Sequence, residues 1–475
     1  MASAIPALLP DVALVLLAFA VLGVDLVLGR RADRVVFPLA IAGTALLLVA
    51  SFLARPSDEL FLGCWSVDAF GLHFRQLFLL ATLLAELFAC SYFVRGGDGR
   101  PPLRNPGEFL SVVLLVAVGM FAVVSVRDLL ALFVGLELAT IPLYFLVAWR
   151  SEDRLGGEAA AKYVIMGAGA SCFLLFSFSY LYGLSGSLRF DAVAGWAAQH
   201  PDSPMLWIAV LALLAGIGFK LTLFPFQMWA PDVYHGAPTP VTALLSVSSK
   251  STAFAFLAVM LRGPLAPALH GTQELLLVLS ALTMTVGNLG AIHQRHLRRF
   301  MAYSSIAQAG FILAAFLGPA DDAALAALFY LFVYAAANYL AFSVFAVAGA
   351  EKGERFESLG GLSRRSPALA GMLAVCMFSL AGIPPVAGFL GKFFLFSSAA
   401  ANGHYGFVVF AALNGTVSLY YYLHVLREAY IVPEEEGGEN GALRVDPLQK
   451  ALLGFLFLAV VLLGLVPQLS DFLSR

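Results

Sequence analysis

The sequence predicts an all-α, polytopic membrane protein of about fourteen transmembrane helices, with two inverted five-helix repeats that each contain a proline-broken helix. Hydrophobic residues make up 60% of the 475 residues, whereas charged residues make up only 12%. The mean hydropathy is +0.87. Few charges, four cysteines and a net charge of −2 exclude a disordered chain, a disulfide scaffold and a nucleic-acid-binding protein.

Apolar runs of the length that a bilayer span requires recur along the whole chain. They lack the period-two alternation of barrel strands, so they are interpreted as helices. The first run has Asp11 near its start and no basic leading region, which favours a retained helix over a cleaved signal peptide. The predicted spans, numbered 1 to 14, cover residues 5–29, 36–54, 68–94, 108–126, 128–149, 158–183, 205–235, 238–261, 272–292, 298–318, 322–349, 367–401, 404–426 and 448–468.

Lysine and arginine are concentrated in the loops that follow odd-numbered spans. These loops hold eighteen such residues, against five in the even-numbered loops and the C-terminal tail. Basic loops stay on the cytoplasmic side of a membrane. The odd-numbered loops are therefore expected in the cytoplasm, and both termini on the opposite side.

Prolines inside two of the spans predict the internal organisation. Pro225 follows Lys220 by five residues, and Pro384 and Pro385 precede Lys392 by eight and seven. A proline frees a backbone carbonyl, and free backbone is tolerated at membrane depth only against protein or water. Matched breaks in two halves predict inverted repeats around a polar site. The predicted units are an N-terminal three-helix segment (1–107), a first repeat of spans 4–8 (108–261), a second repeat of spans 9–13 (272–430) and a C-terminal helix (445–475).

Five cations remain inside the predicted spans, although a cation at bilayer depth costs roughly 2.5–3.5 kcal/mol on insertion scales. Arg75 lies near the start of span 3 and is expected to extend to the membrane surface. Lys162 lies one turn inside span 6, so the same explanation stays open for it. The deeper cations are candidates for function. They are Lys220, Lys250 and Lys392.

Two carboxylates accompany these lysines. Glu137 lies deep in span 5 and would be ionised beside a buried lysine, whereas Glu86 in span 3 is equally consistent with a protonated structural residue. Burial disfavours a charged lysine and a neighbouring carboxylate favours it, so a moving glutamate would make a lysine hold or release a proton. The pattern predicts a proton relay. Side chains that would bridge its gaps are Ser246, Ser248, Ser249, Tyr303 and His424.

No motif for a metal or cofactor accompanies the relay. Cys64, Cys90, Cys172 and Cys376 occur singly, without CxxC or His/Cys spacing. The sequence also lacks a GxGxxG after a strand and a P-loop. The chain is expected to bind neither metal, nucleotide nor redox centre.

Four stretches carry a family resemblance. They are residues 160–163 (AAKY), 220–241 (KLTLFPFQMWAPDVYHGAPTPV), 301–310 (MAYSSIAQAG) and 380–392 (LAGIPPVAGFLGK). The chain resembles the antiporter-like membrane subunits of respiratory complex I over nearly its whole length. It is most similar to the N-type members, since M-type members carry glutamate at the position of Lys392 and L-type members are longer. His235 and the acidic residues 434–436 depart from the family pattern.

This resemblance implies a translocase role, namely proton pumping coupled to NADH oxidation by quinone. The residues that it places on a hydrated axis across the membrane are Glu137, Lys162, Lys220, Lys250 and Lys392. Quinone, FMN and Fe–S clusters are expected in partner subunits and none in this chain. The resemblance also implies a hetero-oligomer with other membrane-arm subunits in a bacterial inner membrane, without nucleic acid.

Other functions share parts of this pattern. A subunit of a multi-subunit cation/proton antiporter or of a membrane-bound hydrogenase has the same glutamate, lysines and broken helices. A structural scaffold would pair its lysines locally, and four lysines with two broken helices argue against it. A stand-alone solute transporter would need a substrate pocket, for which the sequence has no signature.

Overall fold

The computed structural model describes residues 4–29, 32–56, 60–61, 63–96, 102–150, 152–350, 353–433, 443 and 445–465. The acidic segment 434–436 and the C-terminal residues 466–475 lie outside the described residues. Within the described part the fold is all-α, because extended backbone is limited to isolated bridges between loops. The predicted all-α, multi-span fold class is confirmed.

The helices follow the predicted spans to within a few residues. Of those described, thirteen are long and apolar enough to cross a membrane, and span 12 is divided into two shorter apolar helices, α16 and α17. The helices are α1 (Ala4–Leu28), α2 (Asp33–Ser51), α3 (Ala69–Arg95), α4 (Pro106–Ser125), α5 (Leu129–Val147), α6 (Arg154–Ser185), α7 (Phe190–Gln199), α8 (Pro204–Leu221), α9 (Trp229–Gly236), α10 (Thr239–Leu244), α11 (Lys250–Arg262), α12 (Leu269–Ile292), α13 (Leu297–Ala314), α14 (Ala320–Ala348), α15 (Leu362–Arg365), α16 (Pro367–Ala381), α17 (Ala387–Ala401), α18 (Tyr405–Tyr430) and α19 (Pro447–Leu465).

Contacts between loops support the number of crossings. Loops that follow even-numbered spans meet one another, and loops that follow odd-numbered spans meet at the other end. The even-loop contacts include the bridges Trp65–Val126 and Asp128–Arg189 and the ion pair Arg262–Asp321. The odd-loop contacts include the bridge His296–Arg355 and a hydrogen bond from Trp149 Nε1 to the Arg104 carbonyl. We call these ends the even-loop face and the odd-loop face.

The core of the molecule consists of α10, α11, α13 and α14, whose residues are almost all buried. Residues 239–261, which contain α10 and nearly all of α11, are buried throughout by their neighbours. A π-helical turn at Leu245–Ser249 joins its two parts. By contrast, α1, α2 and α19 expose most of their apolar surface, as expected for helices that face lipid or another subunit. The polar side chains of α11 therefore lie far from the membrane-facing surface.

Helix α7 lies outside the fourteen predicted spans. Its ten residues are too short to cross a bilayer, and they connect α6 to α8 at the even-loop face. Phe190, Val193 and Ala197 form its buried stripe at helical spacing. The helix was not predicted, because an amphipathic helix of ten residues contains no apolar run long enough to span a bilayer.

The expectation for Arg75 is wrong. Its side chain is 3% exposed and forms an ion pair with Asp11 at 2.8 Å instead of extending to the membrane surface. Its guanidinium also donates to Ser125 Oγ at 2.8 Å and lies over the Phe121 ring. Helix α4 packs against both α1 and α3 and so brings these partners together, which span 3 alone could not reveal.

Glycines allow the closest helix approaches. A Cβ at Gly119 of α4 would collide with the backbone of Ala139 in α5, and a Cβ at Gly287 of α12 would collide with the backbone of Ala307 in α13. A flexible side chain could move aside to make room for the added Cβ, whereas the backbone of a packed helix cannot. These two helix pairs therefore require glycine at the contact.

Replacement of Gly119 by leucine should lower stability, since overpacking a helix contact typically costs about 1–3 kcal/mol. The fraction that remains folded in mild detergent after heating measures the effect. Gly169→Leu is the matched control, because Gly169 has no atom near its missing Cβ. Equal heat resistance of the two variants would contradict the close packing of α4 on α5.

Candidate functional site

The first helix break lies between α8 and α9. Helix α8 ends at Leu221, and Thr222 adopts a left-handed conformation with φ of 60°. Pro225 follows, and one 3-10 turn leads into α9. The backbone N–H of Phe224 donates to Thr283 Oγ1 of α12 at 3.0 Å, so packing satisfies part of the exposed backbone. The predicted interruption of span 7 at Pro225 is present.

Lys220 lies one residue before the end of α8 and forms a buried ion pair with Glu137 of α5. The distance from Nζ to Oε1 is 3.1 Å, and the two side chains are 2% and 13% exposed. Lys220 also donates to Thr140 Oγ1 at 3.0 Å, and Ser171 donates to Glu137 at 2.8 Å. Such hydrogen bonds are required when a charge pair leaves water. The structure brings these two predicted residues together.

Lys250 begins α11, directly after the π-helical turn. Its side chain is 1% exposed, and Nζ donates to Thr222 Oγ1 at 2.6 Å. The Thr222 hydroxyl in turn donates to the Leu221 carbonyl at 2.6 Å. The helix break therefore supplies the hydrogen-bond acceptor for the second lysine.

The second helix break likewise supplies a hydrogen-bond acceptor, in this case for Lys392. Helix α16 ends at Ala381, Gly382 has φ of 87°, and α17 begins after Pro384 and Pro385. Lys392 is 6% exposed and donates to the Ala381 carbonyl at 2.9 Å. Its ammonium group also lies 4.4 Å from the centre of the Phe311 ring. Lys392 also lines an apolar cavity of about 450 Å³ between α17 and α18.

A buried group of polar side chains beside the second break was not predicted from the sequence. Gln308 of α13 donates to the Leu380 carbonyl at 2.8 Å and accepts from the Tyr330 hydroxyl at 2.5 Å. Tyr422 accepts a further bond from Gln308 at 3.1 Å. Leu380 immediately precedes Ala381, so this group ends beside the acceptor of Lys392. The sequence feature that could have indicated this group is Gln308, a polar side chain inside an apolar span.

The predicted bridging side chains are divided between buried and peripheral positions. Ser246, Ser248 and Ser249 all lie in the π-helical turn beside Lys250 and are buried. Tyr303 is only partly buried and packs against Gly290 of α12. His424 is 38% exposed, with Nε2 at 3.7 Å from Glu428.

Lys162 is at the surface of the chain and not among the buried lysines. Its side chain is 43% exposed and pairs with Glu158 and Asp232, each at 2.8 Å. His235 lines the same small cavity as Lys162, and its ring centre lies 4.5 Å from that of His296. The structure therefore separates these two predicted residues from the Glu137–Lys220 pair.

Glu86 is fully buried in α3 and accepts a hydrogen bond from Thr44 at 3.0 Å. This contact lies between α2 and α3, away from the two helix breaks. Among the described residues, no three His, Cys, Asp or Glu side chains converge in a way that would hold a metal ion.

Known proteins resemble this chain in sequence. A family model described as NADH:quinone oxidoreductase/Mrp antiporter, TM, matches residues 126–418. The NADH-quinone oxidoreductase subunit N of Moorella thermoacetica is 37% identical over 95% of this chain and 93% of its own length. A subunit N 2 from Acidobacterium capsulatum is 37% identical over 97% of this chain and 96% of its own.

Solved structures give the same result. A chain of respiratory complex I from Thermus thermophilus with bound aureothin superposes with a TM-score of 0.83 at 34% identity, covering 98% of this chain and 99% of that one. A chain of the Mrp complex from Dietzia sp. DQ12-45-1b has a TM-score of 0.83 at 21% identity, over 98% and 96% of the two chains, and shows the shared fold alone. The chain therefore belongs to the NADH:quinone oxidoreductase/Mrp antiporter family of membrane subunits, together with the relatives named subunit N.

Proposed function

We propose that this chain is a proton-translocating subunit in the membrane arm of an NADH:quinone oxidoreductase. The single observation that carries the proposal is the buried Lys220–Glu137 ion pair at the end of a broken helix. The relatives named subunit N support the choice of complex. Quinone, FMN and Fe–S clusters belong, in this proposal, to partner subunits, and this chain contributes no redox centre.

The proposed mechanism begins with the distance between Glu137 and Lys220. While the carboxylate is close, it stabilises the ammonium form of the buried lysine. One charge pair at about 4 Å is worth roughly 4 kcal/mol at an effective dielectric of 20, which is about a thousandfold in proton affinity. When Glu137 moves away, Lys220 releases its proton toward Lys250. Thr222 follows Lys220 by two residues; its hydroxyl accepts from Lys250 and donates to the Leu221 carbonyl, so it has to rotate toward a neutral Lys250 to pass a proton on.

The proposed path continues through the buried polar group to Lys392. Gln308, Tyr330 and Tyr422 replace Tyr303 and His424 as the bridging side chains, because they are buried and hydrogen-bonded. We propose that two inverted repeats carry the path, residues 108–261 and 272–430, each with one break. The bias of lysine and arginine supports a cytoplasmic odd-loop face and both termini on the other side of a bacterial inner membrane.

Cation/proton exchange within an antiporter complex is the second candidate. The fold shared with the Mrp complex chain favours it. Identification of co-purifying proteins after extraction in mild detergent separates the two. We expect flavin- and Fe–S-containing NADH dehydrogenase partners; recovery with small antiporter subunits and no redox protein would favour exchange.

Glu137→Gln and Lys220→Ala should each reduce proton pumping by about tenfold or more, because each removes the charge that switches the other. Proton uptake per NADH oxidised, in membrane vesicles, is the measurement. Glu274→Gln is the matched control, since Glu274 is exposed on α12. Because removal of one partner of a buried pair can destabilise the chain, recovery of the assembled complex is quantified in parallel. Normal pumping in both variants would rule out the relay.

Lys250→Arg should abolish pumping although the positive charge is retained. Arginine keeps its proton under all accessible conditions, so it cannot pass one on. Lys392→Ala should block the far end of the path. Proton uptake per NADH oxidised measures both variants. Full activity of Lys250→Arg would indicate that this position acts by charge alone.

A further inference from the structure

A group of charged side chains at the odd-loop face lies outside the proposed path. Asp232 accepts from Lys162 at 2.8 Å through Oδ2 and from Arg299 at 2.7 Å through Oδ1. Lys162 also pairs with Glu158 one turn earlier in α6. The three side chains Lys162, Asp232 and Arg299, which we call the latch, are each about one-third to two-fifths exposed in the isolated chain.

Each member of the latch comes from a different helix. Lys162 is on α6, Arg299 is on α13, and Asp232 is on α9. Helix α9 is the second half of broken span 7, so it is joined to Lys220 only through the irregular segment 222–228. The two ion pairs of Asp232 therefore link this second half of the broken helix to α6 and α13, the helices against which its buried residues also pack.

Aromatic rings connect the latch to the buried pair. Tyr163, next to Lys162, stacks on Trp229 of α9 with ring centres 4.5 Å apart and planes inclined by 13°. Trp229 donates from Nε1 to the carbonyl of Phe219 at 2.9 Å, and Phe219 immediately precedes Lys220. On its other side, Tyr163 contacts Tyr144 of α5, with ring centres 4.6 Å apart. A shift of α9 would therefore be transmitted to the end of α8, which carries Lys220, and to α5, which carries Glu137.

The surroundings of Lys162 are those of a permanent cation. Two carboxylates within 2.8 Å stabilise its ammonium form, and partial exposure removes the burial that would favour proton release. An arginine at this position would satisfy the same carboxylates. The residue is therefore suited to hold a charge in place and unsuited to transfer a proton.

We propose that Lys162, Asp232 and Arg299 are positioning residues that fix α9, and through Trp229 the Lys220–Glu137 distance, while Lys162 keeps its proton throughout. This inference rests on the proposed proton translocation. It assigns Lys162 a different task from the relay role that the family resemblance implies.

The test compares Lys162→Arg with Lys250→Arg in the whole complex, in membrane vesicles. Lys162→Arg should pump normally, because it preserves the latch. Lys162→Gln and Asp232→Asn should each lower protons moved per NADH oxidised by about two- to fivefold, the value of a partly exposed ion pair. The double variant should be no worse than Asp232→Asn alone, since that substitution already removes the contacts of Asp232 with both Lys162 and Arg299. Lys450→Gln, at an exposed lysine of α19, is the matched control.

Two results would overturn the latch. If Lys162→Arg is as impaired as Lys162→Gln, Lys162 must release its proton and belongs to the relay. If Lys162→Gln and Asp232→Asn both pump normally, the ion pairs position nothing. Should Lys162→Gln fail to assemble, Lys162→Arg and Asp232→Asn decide the question. Failure of the proposed function is seen separately, as normal pumping in Lys250→Arg and Glu137→Gln.

Discussion

The hydrocarbon core of a bilayer contains no water, so each backbone group and charge released by a helix break must find its partner within the protein. The two breaks meet this constraint in similar ways. The hydroxyl of Thr222 accepts from Lys250, and the carbonyl of Ala381 accepts from Lys392. Each interrupted helix thus stabilises a lysine that would otherwise be too costly to bury.

The site of Lys220 differs from those of Lys250 and Lys392, because a carboxylate, that of Glu137, lies beside the lysine. A pair of this kind is sensitive to small displacements, since its Coulomb energy changes with distance while desolvation remains. Helix α5 carries Glu137 and α8 carries Lys220, and α9 contacts α8 through the Trp229 hydrogen bond. In the proposed mechanism these three helices set the distance. The latch on α9 adds an exposed electrostatic contact to this buried geometry.

Large parts of the fold were accessible from sequence because the rule that governs them is local. About twenty apolar residues make a span, and a proline inside one interrupts it, so the helix bounds and both breaks were predicted closely. The buried lysines were found because a cation in an apolar run is costly wherever it packs. Helix α7 was missed since its ten residues give no such signal, and Arg75 was misjudged since its partner Asp11 lies 64 positions away.

The sequence by itself determined the class of the molecule, its spans, its broken helices and the residue types available for proton transfer. Only the tertiary structure decided which of them meet. It pairs Lys220 with Glu137, gives Lys250 and Lys392 polar acceptors, and places Lys162 at the surface with Asp232 and Arg299. The physical reason is that hydropathy depends on neighbours along the chain, whereas burial and ion pairing depend on helices far apart in sequence that pack against one another.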